Sequence, residues 1–365
     1  MSLFTSKSVV ARTLVLLVAA EMVCSLPVSA AKPVTVTVMT RNMYYGAELD
    51  PILGATDEAS FAAAAAAVMA QVTNTGFAER ASRLADEIAA TNPDLISLQE
   101  VSMWRTGPMM QPPAADVAYD QLDLLLQALA KRNLHYGVVA TQTLLDAEAP
   151  IPTANVDFRL TDRDVMLARI DLPQSIFDID NVQAHRYKAV WQVGSPLLGQ
   201  FGIPEGWLSA DVTVQGVRFR FVATHLESTC GCASDAQNAQ EAQADELIAW
   251  LANSELPVVV AGDFNSNAEP GPEQTASIQK FLGAGFVDAW RIANPGDPGL
   301  TWPLFLGDPK TAAPLAERID LVLTRGLKNI GFSRGLPIMS AQRTGMAPGA
   351  FASDHAGLVV KFQVQ

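Results

Sequence analysis

The sequence has few cysteines and few positive charges, and it has no apolar run long enough to span a membrane. Only three Cys occur in 365 residues. A scaffold held by several disulfides is therefore excluded, and stability must come from a hydrophobic core. Lys and Arg together number 25 against 38 Asp and Glu, a formal net charge of -13. A surface this acidic repels polyanions, which argues against a protein that holds nucleic acid through many phosphate contacts. Charged residues make up 17% and hydrophobic residues 49%, a balance that excludes a mainly disordered chain. The most continuous apolar stretch near the start, Thr13 to Ala20, is bounded by Arg12 and Glu21. It falls well short of the ~18 to 20 residues a membrane span needs.

The first thirty residues read as a cleaved secretory signal. Lys7 and Arg12 supply a positive start, Leu14 to Ala20 an apolar centre, and Val28-Ser29-Ala30 a small-residue cleavage site. Residues 31–365 are then expected to form one exported domain, secreted or periplasmic, with no transmembrane segment left after cleavage. Cys24 goes with the signal. In an oxidising compartment Cys230 and Cys232, separated by one Gly, can pair into a small strained ring. Free thiols or half of a metal site are the other readings.

No 20- to 50-residue period recurs and no linker divides the chain, so a single domain is expected. Its pattern alternates short β runs with amphipathic helices. Val34 to Met39 alternates Val and Thr, which predicts a strand. Phe61 to Ala70, Glu79 to Ala90, Tyr119 to Arg132 and Asp235 to Leu251 read as helices. Strands are predicted at Asp94 to Glu100, Val165 to Ile170, Val217 to Ala223, Pro257 to Ala261, Ile319 to Leu323 and Leu358 to Val364. Met103 to Asp116, rich in Met and Pro, and Trp191 to Leu208 read as loops, the second as a lip over a site. Buried strands with polar residues at their ends, joined by helices, point to an α/β sandwich with its site at one rim.

Those strand ends carry an ordered set: Asn42, Glu100, Asp164, His225, Asp263 with Asn265, Asp320, and Asp354 with His355. The chain has four His, and two of them belong to this set. His135 and His185 read as surface or packing residues. Thr40-Arg41-Asn42-Met43, Leu98-Gln99-Glu100, Thr224-His225-Leu226, Gly262-Asp263-Phe264-Asn265, Arg318-Ile319-Asp320 and Ser353-Asp354-His355 follow one another along the sequence. In content and order these pieces resemble the endonuclease/exonuclease/phosphatase superfamily, which includes pancreatic-type deoxyribonucleases, abasic-site endonucleases, sphingomyelinases and inositol polyphosphate phosphatases. The resemblance implies a four-layered α/β sandwich, with two packed mixed β-sheets flanked by helices and an active site at one rim.

Phosphoester hydrolysis brings water to a phosphorus screened by negative oxygens, so it calls for a cation, a base and hydrogen-bond donors. Hard oxygen ligands suit Mg²⁺ or Mn²⁺. The resemblance makes Glu100 the main metal ligand with Asn42 in support and Asp354 near the metal or the water. An imidazole titrates near neutral pH, and a carboxylate orients it and stabilises its charged form. On the family pattern His355 is the general base and Asp320 its partner. His225 then donates to a phosphate oxygen, with Asp164 as the carboxylate behind it. Asp263 positions the nucleophile or leaving group, and Asn265 hydrogen-bonds the phosphoryl oxygens.

The expected activity is a divalent-metal-dependent phosphodiesterase working by in-line attack of water on a phosphoester in a small molecule, lipid head group or nucleic acid. No obligate protein partner is inferred. A nuclease on DNA or RNA is disfavoured by scattered basic residues. A sphingomyelinase-like enzyme would meet lipid through exposed aromatics, for which Trp191, Phe201 and Trp207 are candidates. An inositol-phosphate phosphatase would need a basic clamp, and a phosphoester-binding protein without turnover is the reading from another class. The segment from Tyr44 to Gly76, the loop after Glu100, and Trp302 are further candidates for the rim.

Overall fold

A computed structural model describes residues 34–229, 234–271, 274–304, 314–327, 332–333, 336–337, 339–346 and 351–364. The expected signal segment and the Cys230 and Cys232 pair lie outside the described residues. The chain begins with β1 (Val34–Asn42), α1 (Asp50–Leu53), α2 (Glu58–Asn74), α3 (Phe77–Thr91), β2 (Leu95–Gln99), β3 (Met103–Pro108) and β4 (Asp116–Asp120). It continues through α4 (Gln121–Ala130), β5 (Tyr136–Ile151), β6 (Val156–Arg169), β7 (Phe177–Arg186), β8 (Trp191–Ser195), β9 (Gly199–Ile203), β10 (Gly206–Val214) and β11 (Val217–His225). There follow α5 (Ser234–Leu251), β12 (Val258–Asp263), α6 (Ser277–Gly283), β13 (Val287–Asp288), α7 (Ala289–Ala293) and β14 (Asp320–Arg325). The last described elements are β15 (Phe332–Ser333), β16 (Leu336–Pro337), β17 (Met339–Thr344) and β18 (Gly357–Val364).

Two mixed sheets result. One runs β17-β18-β1-β2-β6-β3-β4 with β5 also on β6, and the other runs β13-β14-β12-β11-β10-β7. The parallel pairs are β1 with β2 and β11 with β12. Successive side chains of a strand face opposite ways, and this alternation sorts the apolar residues into layers. Phe219, Phe221 and Ala223 of β11 enter the core between the sheets, whereas Val222 packs outward. In β12, Val259 and Ala261 face inward while Val258 and Val260 face outward. Leu84 and Ile88 of α3 and Leu125 and Leu129 of α4 cover the outer face of the first sheet. Leu247 and Leu251 of α5 and Phe281 of α6 cover that of the second. The architecture is thus four-layered, helices on sheet on sheet on helices. No helix among the described residues is long and apolar enough to cross a membrane.

Both segments read as loops contain strands. Within Met103 to Asp116, β3 pairs with β6 and β4, and Trp104 stacks on Phe158 of β6 at 4.7 Å. Its prolines stand at the end and tip of the β3–β4 hairpin, where a missing N–H does no harm. Within Trp191 to Leu208, β8 and β9 form a hairpin and β10 begins at Gly206. Glycine at 194, 199 and 202 hid the alternation there. Trp207 is 5% exposed and packs on His185, Tyr187 and Trp250, so it is a core aromatic and not a membrane-facing one. Trp191 and Phe201 are half-buried. The long strand β5 and the strand β7 were not anticipated.

Phe219 is fully buried and meets Phe362 edge-on at 6.0 Å across the two sheets. Phe219→Ala is expected to cost about 3 to 5 kcal/mol. Urea denaturation should show it as a lower midpoint with little change in slope, and an unchanged midpoint would contradict this account of the core.

Candidate active site

Strand register brings the polar strand ends together. His225 of β11 is paired with Asp263 of β12, and Asp263 with Asp320 of β14, so three chemically active side chains stand on neighbouring strands at one rim. Gly206 pairs with His225 on the other side. In the facing sheet Asn42 pairs with Gln99, which puts Glu100 just past the end of β2 at the same rim. The turn before β18 adds Asp354 and His355.

Asn42 and Asp263 join the two sheets. The Asn42 amide donates to Glu100 Oε1 at 2.9 Å and to Asp263 Oδ2 at 3.0 Å, while its Oδ1 accepts from the Tyr44 N–H. Glu100 Oε2 accepts from the Tyr45 N–H at 3.0 Å. Glu100 and Asn265 both hold positive φ, 55° and 48°. The left-handed region costs a residue with a Cβ about 1 to 2 kcal/mol, Asn least. Asn265 offsets this with its amide on the Leu226 carbonyl at 2.9 Å and its N–H on Asp263 Oδ1 at 2.9 Å.

His355 Nδ1 lies 2.9 Å from Asp320 Oδ2 and 3.7 Å from Asp263 Oδ2. Its backbone carbonyl accepts from Arg41, a fully buried arginine also bound to Glu87. Burial alone would lower the His355 pKa. The charges of Asp320, Asp263 and Asp354 outweigh it and push the imidazole up to about 10. His225 has the opposite fate: burial and repulsion from His355 hold it down at about 3. Two buried imidazoles on one rim are thus held in different protonation states.

Asp164 stands 3.9 Å from His225 Nδ1, beyond hydrogen-bond reach. Glu205 is nearer, at 3.6 Å, and was not anticipated because it lies within Trp191 to Leu208, a segment read as a loop. A carboxylate one residue before a strand that pairs with β11 was the available signal. Asp162 was also missed, although it lies two residues from Asp164 and so on the same strand face. Its Oδ2 accepts from the Tyr45 hydroxyl at 3.2 Å. His225 Nε2 lies 3.1 Å from the Asn265 amide nitrogen and 3.8 Å from Asp263 Oδ2. Asp354 and Glu100 are half-buried, and Asp354 is the largest charge acting on Glu100. Trp302 is half-buried with its ring 6.5 Å from that of His355.

The donor set fits a divalent cation. Both oxygens of Asp164, Oδ1 of Asp162 and of Asp320, Oε2 of Glu205 and Nδ1 of His225 are buried without a hydrogen-bond partner. Asp164, Glu205 and His225 converge closely enough to share an ion, as do Asp263, Asp320 and His355. The nearby arginines are committed elsewhere. Arg80 donates to the carbonyls of Ala352, Met43 and Tyr44, and Arg163 to Val101 O and Asp120. Burial raises Glu100 and Glu205 well above the carboxylate range, Asp162 and Asp263 to about 7 and Glu227 to about 8. A positive ion would remove that penalty.

With this geometry established, comparisons with known proteins place the chain. Residues 73–355 match the model of the Endonuclease/Exonuclease/phosphatase family. The chain belongs to that family. It is a family that generally hydrolyses phosphoesters and depends on divalent metal. A solved family protein from Bacteroides thetaiotaomicron is 15% identical, covers 92% of this chain and 99% of its own, and superposes with a TM-score of 0.52. One from Beutenbergia cavernae DSM 12333 is 20% identical over 90% of this chain and 72% of its own, also at 0.52. A third, from Leptotrichia buccalis C-1013-b, is 14% identical over 89% and 98%, at 0.51. At such identities these neighbours show a shared fold. No curated protein matches the sequence.

The buried acids and His355 give alkaline pH the same effect on stability. A carboxyl raised in the folded state stays neutral there while its unfolded counterpart ionises. Its stabilisation is complete below about pH 4 and is lost as pH rises through 7 to 8. Charged His355 contributes fully below about pH 6.5 and loses its contribution as pH rises through about 10. The melting temperature of metal-free protein should therefore fall steadily from pH 5 to 9, and Mg²⁺ or Mn²⁺ should restore it most at the alkaline end. A scanning-calorimetry profile flat over that range would contradict the charge arrangement.

Proposed function

We propose that the protein is a divalent-metal-dependent phosphodiesterase, with Mg²⁺ or Mn²⁺ as cofactor, that cleaves its substrate by in-line attack of a water activated by the His355–Asp320 pair. The observation that carries this reading is the 2.9 Å contact between His355 Nδ1 and Asp320 Oδ2, on the rim where Asn42 ties Glu100 to Asp263. His355 donates its Nδ1–H to Asp320 Oδ2, which leaves Nε2 as the nitrogen free to accept a proton from water.

A divalent ion held by Glu100 and Asp354, with Asn42 in support, would polarise the phosphoryl oxygens and offset the carboxylates that otherwise keep His355 charged. Asp263, bonded to Asn42 and to the Asn265 N–H, holds the two sheets' contributions in one register. His225 and Asn265 stand side by side where phosphoryl oxygens would sit. Asp164 and Glu205 flank His225 from behind and favour a proton on its Nδ1.

The arginines closest to this centre, Arg41, Arg80, Arg163 and Arg318, are buried and committed to carbonyls or carboxylates. With a net charge of -13, this supports a small or lipid-like phosphodiester over a polynucleotide gripped along its backbone. Export from the cell is part of the same proposal and is tested by finding the cleaved chain outside the cytoplasm.

Hydrolysis of bis-p-nitrophenyl phosphate with Mg²⁺ or Mn²⁺ tests the reaction. His355→Ala, Asp320→Asn and Glu100→Ala should each lower kcat by roughly 10²- to 10⁴-fold, with a much smaller change in KM. Turnover that survives both His355→Ala and Glu100→Ala would overturn the assignment. Binding of Mg²⁺ and phosphoester without product release would make this a binding protein.

A further inference from the structure

The two ring nitrogens of His225 look into different surroundings. Nε2 faces the rim, 3.1 Å from the Asn265 amide nitrogen and 3.8 Å from Asp263 Oδ2. Nδ1 faces Glu205 Oε2 at 3.6 Å and Asp164 Oδ1 at 3.9 Å. His225, Asp164 and Glu205 are each 4% exposed or less, and Nδ1, Glu205 Oε2 and both oxygens of Asp164 have no hydrogen-bond partner. Two neighbouring acceptors share that condition. Asp162 Oδ1 lies two residues along the same face of β6, and the amide oxygen belongs to Gln142, which stands opposite Asp164 in the β5–β6 register. Arg163, between the two aspartates, points to the opposite face and is bound to Val101 O and Asp120. Burial and the neighbouring carboxylates push Asp164 and Glu205 well above the carboxylate range.

The separations around Nδ1 are too long for hydrogen bonds and close to what one shared ion sets. Zn²⁺ holds nitrogen and oxygen at about 2.0 to 2.2 Å in a tetrahedron, which spaces neighbouring ligand atoms by roughly 3.4 Å. An octahedral Mg²⁺, at about 2.1 Å from its ligands, spaces them by roughly 2.9 Å. The observed 3.6 and 3.9 Å are nearer the first, and the ligand atoms of all three residues lie within 4.8 Å of one another. One imidazole with two carboxylates is also a donor set that suits Zn²⁺. The group formed by Asp263, Asp320 and His355 differs, because there the imidazole Nδ1 is already engaged with Asp320 at 2.9 Å.

We infer that Asp164, Glu205 and His225 Nδ1 form a second divalent-cation site, of the Zn²⁺ type, behind His225 and separate from the ion assigned to Glu100 and Asp354. Three protein ligands leave the fourth position to water, for which Asp162 Oδ1 and Gln142 Oε1 are acceptors. The ion acts on the ring. As the side chains stand, Nε2 accepts from the Asn265 amide, and the ring hydrogen lies on Nδ1 between the two carboxylates. An ion on Nδ1 displaces that hydrogen, and the neutral ring then carries it on Nε2. Nε2 changes from acceptor to donor, and on the phosphodiesterase reading above it does so where a phosphoryl oxygen is held. The two carboxyls give up their protons as they ligate, so binding releases hydrogen ions.

The test is calorimetric titration of Zn²⁺ into protein stripped of metal and supplied with excess Mg²⁺, run in two buffers of different ionisation heat. One tight site that releases protons is expected. Asp164→Asn and Glu205→Gln keep the side-chain shape and remove a buried charge. Each should weaken the site by at least roughly 100-fold, the upper end of what is lost with groups that merely orient a ligand. Glu100→Gln, at the other ion, should leave it unchanged. Absence of a tight Zn²⁺ site, or one equally tight in Asp164→Asn and Glu205→Gln, overturns the inference. Nitrogen-15 NMR of the histidine rings reads the same event in the unmutated chain, where Zn²⁺ should move the His225 hydrogen from Nδ1 to Nε2. Zn²⁺ that binds and leaves that ring unchanged overturns it as well. Neither readout needs turnover, so a chain that cleaves no phosphoester ends the hydrolase reading alone, and this site is still decided by the titration.

Discussion

The rim of this molecule is organised by the cost of placing negative charge where water cannot reach it. Asp164, Glu205, Asp263 and Asp320 are each 4% exposed or less, and they crowd around two imidazoles. A buried carboxylate must be protonated, paired with a cation or hydrogen-bonded, because desolvation otherwise exceeds what the fold can absorb. The molecule uses all three routes unevenly. Asn42 satisfies Asp263 and the neighbouring Glu100, His355 carries a positive charge among the acids, and several of their oxygens are left with no partner at all. The arginines that would relieve the charge most cheaply are spent on backbone carbonyls. Arg80 ties the turn after β1 to the turn before β18, and Arg41 holds His355 by its carbonyl. The chain thus uses its permanent positive charges to fix the shape of the site and leaves the acids inside it uncompensated. That imbalance suits a divalent cation.

That shape follows from register more than from any loop. Hydrogen-bonded strands set His225, Asp263 and Asp320 one strand apart, and such spacing is about 5 Å whatever the side chains do. The facing sheet contributes through Asn42, whose amide bridges to Asp263 across the two layers. Because the inward faces of β1, β11 and β12 are packed with Val, Phe and Ala, neither sheet can slide by one residue without turning its apolar set outward. The core therefore fixes the distances between these side chains, and mutations far from the rim act on it only by loosening that packing.

Much of this was legible in the sequence, and the reason is local. Asn42, Glu100, His225, Asp263, Asn265, Asp320, Asp354 and His355 each close or open an apolar run too short for a helix, so a strand end and a reactive group coincide within a few residues. Asp164 was read as the entry to a strand at Val165, but it sits inside the long strand β6 with no boundary beside it, and its role behind His225 depended on resemblance. Glu205 and Asp162 were invisible for a related reason. Glu205 matters because β10, hidden in a segment read as a loop, pairs with β11, and Asp162 because β6 lies beside β2, a pairing between segments distant in sequence. The strands β3, β8 and β9 were masked by Gly, Pro and Met, residues that weaken a strand pattern without preventing pairing when an aromatic such as Trp104 anchors it.

The regions hardest to read are also those that vary the surroundings of the site without touching its centre. The stretch holding α1 and α2 leaves the first sheet after Asn42, the stretch holding β8 and β9 leaves the second before Gly206, and the two meet where α1 packs on β8. Loops at strand ends can lengthen with little effect on the register behind them, because their ends are already held close and added length costs only slowly in entropy. The polar strand ends and the apolar space are consequently carried by different parts of one chain. The converging carboxylates and imidazoles belong to the paired strand ends, where a one-residue slip would turn them to the other face. The apolar space lined by Ala65, Trp104 and Phe158 belongs to excursions whose composition, alanine on one side and aromatic on the other, sets its volume. A change in the volume of that space requires new side chains on α2 or the hairpin, and none in the strands that hold the histidines.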